Sequence, residues 1–187
     1  MRTLLFLLEE ASAKYLLQGL LPRLLPRSVV TEFLVFEGKT DLENSIQTKI
    51  RGWQRANTRF VILRDQDSAD CRIVKERLAT RIPASHRELT VVRIACRELE
   101  SWLLGDWQAL AEEFAQPKLA GNQNKRPFKN PDTLKNPVLE LRKFLPGYGK
   151  CDGARRLGTR LHPDRNASPS FRTFCAAVQK LASTDPE

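Results

Sequence analysis

Four short segments along the chain are almost wholly apolar: TLLFLL (3–8), EFLVF (32–36), RFVIL (59–63) and LTVVRIA (89–95). Their apolar residues run on without the alternation of a half-exposed strand, the pattern expected where both faces of a parallel sheet are covered. Helix-sized segments lie between them. Residues 12–25 place Leu16, Leu17, Leu20, Leu21, Leu24 and Leu25 at helical spacing, with Ser12 as N-cap and Pro22 set to kink or end the helix. Residues 41–55 carry Leu42, Ile46, Ile50 and Trp53 on one face, and residues 70–82 carry Ile73, Arg77, Leu78 and Ile82. Strands alternating with helices of this length predict right-handed βαβ units and a three-layer α/β domain.

Beyond the fourth strand the pattern changes. Residues 98–115 (ELESWLLGDWQALAEEFA) read as helix with a break at Gly105. Residues 117–137 hold four prolines and many Asn and Lys residues, which predicts a long surface loop or flexible segment. Residues 138–145 and 170–182 read as helices, separated by PGYGKCDGARRLGTRLHPDRNASP. Neither an internal repeat nor a low-complexity tract marks a second core. The expected organisation is an α/β domain over 1–115, with a basic loop and mainly helical extension over 116–187 packed on it as one globular unit.

Composition sharpens this in three ways. The apolar run Leu4–Leu8 is stopped at once by Glu9 and Glu10, too short for a membrane span or a signal-peptide core, so the expectation is a cytoplasmic protein without a membrane partner. The four cysteines form no CxxC pair, which argues for reduced thiols rather than a zinc framework. The net charge of +9 is unevenly spread: residues 1–115 hold 17 Lys/Arg against 16 Asp/Glu, residues 116–187 hold 14 against 6. A basic region of this kind attracts polyanions, nucleic acid first.

Each predicted strand runs directly into acid. The first ends at Glu9–Glu10, the second at Glu37, the third at Asp65 and Asp67, and the fourth is followed by Glu98 and Glu100. Open parallel sheets bind ligands outside the carboxyl ends of their strands. Several carboxylates on one rim repel one another unless a cation sits among them, and hard Mg²⁺ (or Mn²⁺) suits oxygen ligands. The bland alternative is that each acid caps the helix that follows it.

LLEEASAKYLLQGLLPRLLP, FLVFEGKTDLE, FVILRDQDSADC and IACRELESWLLGD together resemble the Toprim (topoisomerase–primase) fold, and in particular a bacterial family of short Toprim-like proteins of unknown function. The likeness to that family continues through PGYGKCDGARRL and SPSFRTF; the general Toprim pattern covers about residues 3–104. The resemblance implies a three-layer Toprim/Rossmann-like domain with a mostly parallel sheet of about four strands in the order 2-1-3-4. It also implies metal-dependent phosphodiester chemistry, with Glu9, Asp65 and Asp67 as metal ligands and Glu98 or Glu100 assisting. Toprim proteins usually have Gly after the first Glu, where this chain has Glu10, and a second EG stands at Glu37–Gly38. The strand order makes Glu9 the catalytic glutamate, one strand spacing from Asp65, and leaves Glu37, like Glu10, as an outer-shell candidate.

The basic half supplies candidate phosphate contacts. Arg155 and Arg156 follow a Gly153 that would open a helix, and Arg160, Arg165 and Arg172 follow at intervals suited to a groove. Lys39 and Arg64 lie beside the acids. The competing reading is that neighbouring acids absorb these arginines structurally. The function expected is a metal-dependent, phosphodiester-cleaving nuclease of Toprim type acting on DNA or RNA. Larger Toprim nucleases of bacterial defence carry an ABC-type ATPase; this chain has no GxxxxGK[ST] loop, so as effector subunit of such a defence system it would need a separate ATPase subunit. Two rivals stay open: a non-catalytic module that binds nucleic acid or a partner protein, and a metal-dependent enzyme acting on small phosphates.

Overall fold

The computed structural model describes residues 1–183. Strands β1 (Arg2–Leu8), β2 (Val29–Val35), β3 (Thr58–Asp65) and β4 (Thr90–Ala95) form one parallel sheet in the order β2-β1-β3-β4. Helices α1 (Ala11–Leu24), α2 (Lys39–Arg51) and α3 (Cys71–Thr80) make the crossovers. Successive side chains of a strand point to opposite faces. Leu4, Phe6, Leu8, Val61 and Leu63 therefore pack with α1 on one face, while Leu5, Leu7, Phe60, Ile62, Val92 and Ile94 pack with α2 and α3 on the other. Both faces are covered, which is why the strand sequences do not alternate.

The crossovers differ from expectation in detail. Glu10, not Ser12, occupies the N-cap of α1, and the Ser12 hydroxyl donates to the Glu10 carboxylate instead. Pro22 falls in the last turn of α1, where little helix remains to be disturbed. Asp70 caps α3, its Oδ1 accepting from the Arg72 and Ile73 amides at 2.8 and 3.3 Å. Val74 and Leu78 face the core, and Ile73 is left 63% exposed.

The C-terminal half covers the α1 face with α4 (Glu100–Leu104), α5 (Trp107–Glu113), α6 (Pro137–Phe144), α7 (Lys150–Gly158) and α8 (Pro169–Ser183). Its buried residues, from Trp102 to Ala182, belong to the same apolar cluster as Leu4 and Leu16. The expected break at Gly105 separates α4 from α5, where buried Asp106 accepts from the Ala109 and His162 amides, both at 3.0 Å, and from Arg165 Nε at 2.8 Å.

Two readings of this half need correction. Residues 117–137 are not a loose loop: they wind through 3₁₀ turns at Pro117–Asn122, Arg126–Phe128 and Pro131–Thr133 and bury Leu119 and Phe128. Anchors without periodicity are invisible to a pattern search, and prolines stiffen such turns as readily as they break helices. The supposed connection at 146–169 contains α7, which starts at Lys150 with Gly149 as N-cap. Gly153 thus lies mid-helix rather than opening it, and the Tyr148 ring packed against it leaves no room for a Cβ.

Backbone contact sets the position of α7. At Gly19 of α1 an added Cβ would stand 2.7 Å from the Gly158 carbonyl carbon and the Thr159 nitrogen. The Arg23 side chain donates to the Gly158 and Thr159 carbonyls and, at 2.6 Å, to that of Leu161. Among the described residues no helix is long and apolar enough to cross a membrane.

Candidate acidic site at the strand termini

Asp65 closes β3, the interior strand that pairs with both β1 and β4. By alternation its side chain leaves the sheet on the Val61–Leu63 face, under α1, α4 and α7. The first residues around these three helices meet it there: Glu10 before α1, Glu100 at the start of α4 and Lys150 at the start of α7. Burial, followed by the repulsion of Glu10, Glu100 and Glu9, pushes the Asp65 carboxyl well above the ordinary range, and Lys150 only partly offsets them.

Glu100 is fully buried. Its Oε1 accepts from the Tyr148 hydroxyl at 3.0 Å, while Oε2, without a hydrogen-bond partner among the described residues, lies 3.9 Å from Lys150 Nζ. Burial raises the Glu100 carboxyl despite both neighbours. Lys150 also stands 3.7 Å from Glu10 Oε2. Burial works against its charge, yet Glu100, Glu10, Asp65 and Glu98 together hold the ammonium above its usual range. Glu9 completes the group. Its Oε2 accepts the Asp65 amide at 3.1 Å, and burial raises this carboxyl too, against that amide and Arg64.

A second cluster lies on the opposite face of the sheet. Arg64 precedes Asp65, so alternation sends it toward α2 and α3. There it is 2% exposed, at 2.7 Å from Glu43, 3.6 Å from Glu9 and 3.4 Å from Asp67. Arg77 shares Glu43 at 2.9 Å, and Lys39 reaches Asp67 at 3.1 Å. Asp67 takes a left-handed conformation, φ 58°, its amide donating to the Arg97 carbonyl at 2.9 Å.

The predicted residues are thus divided. Asp65 interacts electrostatically with Glu10, Glu100 and Glu9, and Glu9 also lies 3.6 Å from Arg64. Asp67 touches Glu9 electrostatically but is held by two cations. Glu98 acts on Lys150 at longer range, its Oε2 accepting the Val138 amide at the start of α6 at 3.2 Å. Glu37 is exposed after the edge strand β2, two strands from Asp65. Arg64 is too enclosed to reach a ligand.

The arginines read as nucleic-acid contacts each have a partner within the chain while staying partly exposed. Arg155 lies over the Tyr15 ring at 4.2 Å. Arg156 and Arg160 share Glu113 at 2.9 and 3.1 Å, and Arg165 binds the buried Asp106. Lys150 was missed because it lies in a Gly-flanked stretch without apolar rhythm; only the helix start after Gly149 would have singled it out.

Among the described residues no group of three or more carboxylate, histidine or cysteine side chains is arranged to hold a metal ion. The chemistry of the donors nevertheless fits a hard cation: four carboxylates, Asp65 with Glu9, Glu10 and Glu100, one of them with a buried oxygen that has no hydrogen-bond partner.

Residues 8–179 match the model of the family described as "Domain of unknown function (DUF4276)". No curated protein matches the chain. Among solved structures, the "C-terminal region of the Burkholderia pseudomallei OLD protein" is similar at 15% identity and a TM-score of 0.48, over 97% of this chain and 98% of that one.

Proposed function

We propose, for a chain that belongs to the DUF4276 family, a metal-dependent phosphodiester-cleaving activity at the acidic rim, as the resemblance to Toprim proteins implies. The observation that carries the reading is Asp65, set among Glu9, Glu10 and Glu100 with Lys150 as partial counterion. Carboxylates so crowded are costly without a cation, because each disfavours the charged form of the next. Glu9, Asp65 and Glu100, with Glu10, would hold Mg²⁺ or Mn²⁺. Bound there, the metal would polarise a phosphoryl oxygen and lower the pKa of the attacking water.

The chain's own residues do the rest. The Asp65 amide and Arg64 orient Glu9, and the Tyr148 hydroxyl fixes one oxygen of Glu100 so that the other faces Lys150. Lys150, 36% exposed, offers a cation to a substrate phosphate. Regulation is left to a separate subunit, an ATPase by the analogy drawn from the sequence.

Supercoiled plasmid, single-stranded DNA and RNA incubated with Mn²⁺ or Mg²⁺ test the proposal. Asp65→Asn and Glu9→Gln should abolish cleavage, and Glu37→Gln should leave most of it. A wild-type protein that cuts none of these substrates, or an Asp65→Asn variant that cuts normally, refutes it.

A further inference from the structure

Arg156, Arg160 and Arg165 each face a carboxylate, whereas other cations of the C-terminal half do not. Residues 117–137 contain five cations, Lys118, Lys125, Arg126, Lys129 and Lys135, against one acid, Asp132. All five are exposed, and among the described residues none has a side-chain ion pair or hydrogen bond. The acid is itself occupied. Asp132 accepts from the Ser168 hydroxyl at 2.6 Å and the Ser170 amide at 2.7 Å.

The segment is held firmly and close to the acidic rim. Lys125, Arg126 and Lys129 crown one turn, closed by Lys125 N to Asn122 O at 3.0 Å and Phe128 N to Lys125 O at 2.9 Å. Phe128 pins that turn to the Trp107 and Phe144 rings, with centroids 4.6 and 6.0 Å away. Lys135 lies between two tethers. On one side Asp132 binds Ser170, whose hydroxyl accepts the Cys96 amide immediately after β4 at 3.3 Å. On the other, Val138 donates to Glu98 in the β4–α4 connection at 3.2 Å. Unpaired cations on an ordered backbone bind a polyanion without the entropy cost of arranging a loose loop.

We infer that residues 117–137 form the surface that holds the phosphate backbone of a nucleic acid, with the Lys125–Arg126–Lys129 turn as anchor and Lys135 as the contact nearest the acidic rim. The inference rests on the nuclease reading only for the use made of the bound strand; the binding itself needs no metal. Backbone contacts of this kind carry no sequence information, so the surface takes nucleic acid irrespective of base order.

Fluorescence anisotropy of a fluorescein-labelled single-stranded oligonucleotide, as DNA and as RNA, in EDTA provides the test. Three lost phosphate contacts should lower the slope of log affinity against log salt by about 2 in the Lys125→Ala/Arg126→Ala/Lys129→Ala variant, so its deficit should shrink about sixteen-fold between about 50 and 200 mM salt. Arg156→Ala/Arg160→Ala should keep the wild-type slope. Melting curves should show that the triple variant stays folded. The inference is overturned if the wild-type chain binds neither oligonucleotide, if the triple variant keeps the wild-type slope, or if polyglutamate displaces the oligonucleotide as well as unlabelled nucleic acid does. Weakened binding by the triple variant with no cleavage by the wild type would sink the nuclease reading and leave this surface standing.

Discussion

Gly19→Ala tests whether the fold holds Lys150 in place. The added methyl carbon would stand 2.7 Å from two backbone atoms of α7 and 3.1 Å from Gly158 Cα, where ordinary contact begins at 3.4 Å. Backbone cannot rotate aside as a side chain can, so α7 has to retreat from α1 by about 0.7 Å. Overpacking of this sort costs about 1–3 kcal/mol. Alanine's better helix propensity returns up to ~1 kcal/mol. The net loss of about 1–2 kcal/mol corresponds to a fall in Tm of roughly 2–8 °C for a chain of this size. The same retreat carries Lys150 beyond its present 3.7 and 3.9 Å from Glu10 and Glu100, and misplacement by about 1 Å can lower a rate up to ~100-fold. Differential scanning calorimetry of Gly19→Ala and of Gly147→Ala, where nothing lies within 4 Å, gives the comparison. The control should hold or gain stability, since alanine restricts the unfolded chain. A Gly19→Ala protein as stable as the control would refute the contact and the positioning argument built on it.

Other expectations follow from the acidic site. The Glu9, Asp65 and Glu100 carboxyls are raised chiefly by burial, so the stability they contribute is complete below their unfolded pKa values and is lost as pH rises through the folded ones. In EDTA the protein should therefore weaken from mildly acidic toward neutral pH, and Asp65→Asn should flatten that decline; urea denaturation across the range reads both, and a parallel decline in the variant contradicts the assignment. Tyr148→Phe leaves Glu100 Oε1 buried without its donor, at a cost of about 1–3 kcal/mol, seen as a lower urea midpoint with unchanged slope. Asp67→Asn, which faces Lys39 and Arg64 rather than the main cluster, should reduce cleavage less than Asp65→Asn in the same Mn²⁺ assay; equal losses would return Asp67 to the centre of the site.

Much of the scaffold was legible in the chain itself. Continuous apolar runs such as TLLFLL and RFVIL, short and bounded by acids and turns, fit strands buried on both faces, and helices between them favour parallel pairing. The acids at their ends then had to share one rim, and Glu9 and Asp65 do. Tertiary structure decided what each charge meets. Alternation along β3 sends Asp65 toward Glu10 and Glu100 but Arg64, its neighbour, through to α2 and α3, so adjacent residues serve opposite faces. Lys150 enters only because two glycine-bearing helix backbones touch at Gly19 and Gly158, positions 139 residues apart, in a way no local pattern encodes. The same holds for the basic half. Arg156 and Lys125 are equal as sequence, and only packing places Glu113 beside the first and nothing beside the second, because ion pairing depends on distances the fold sets rather than on the residues alone.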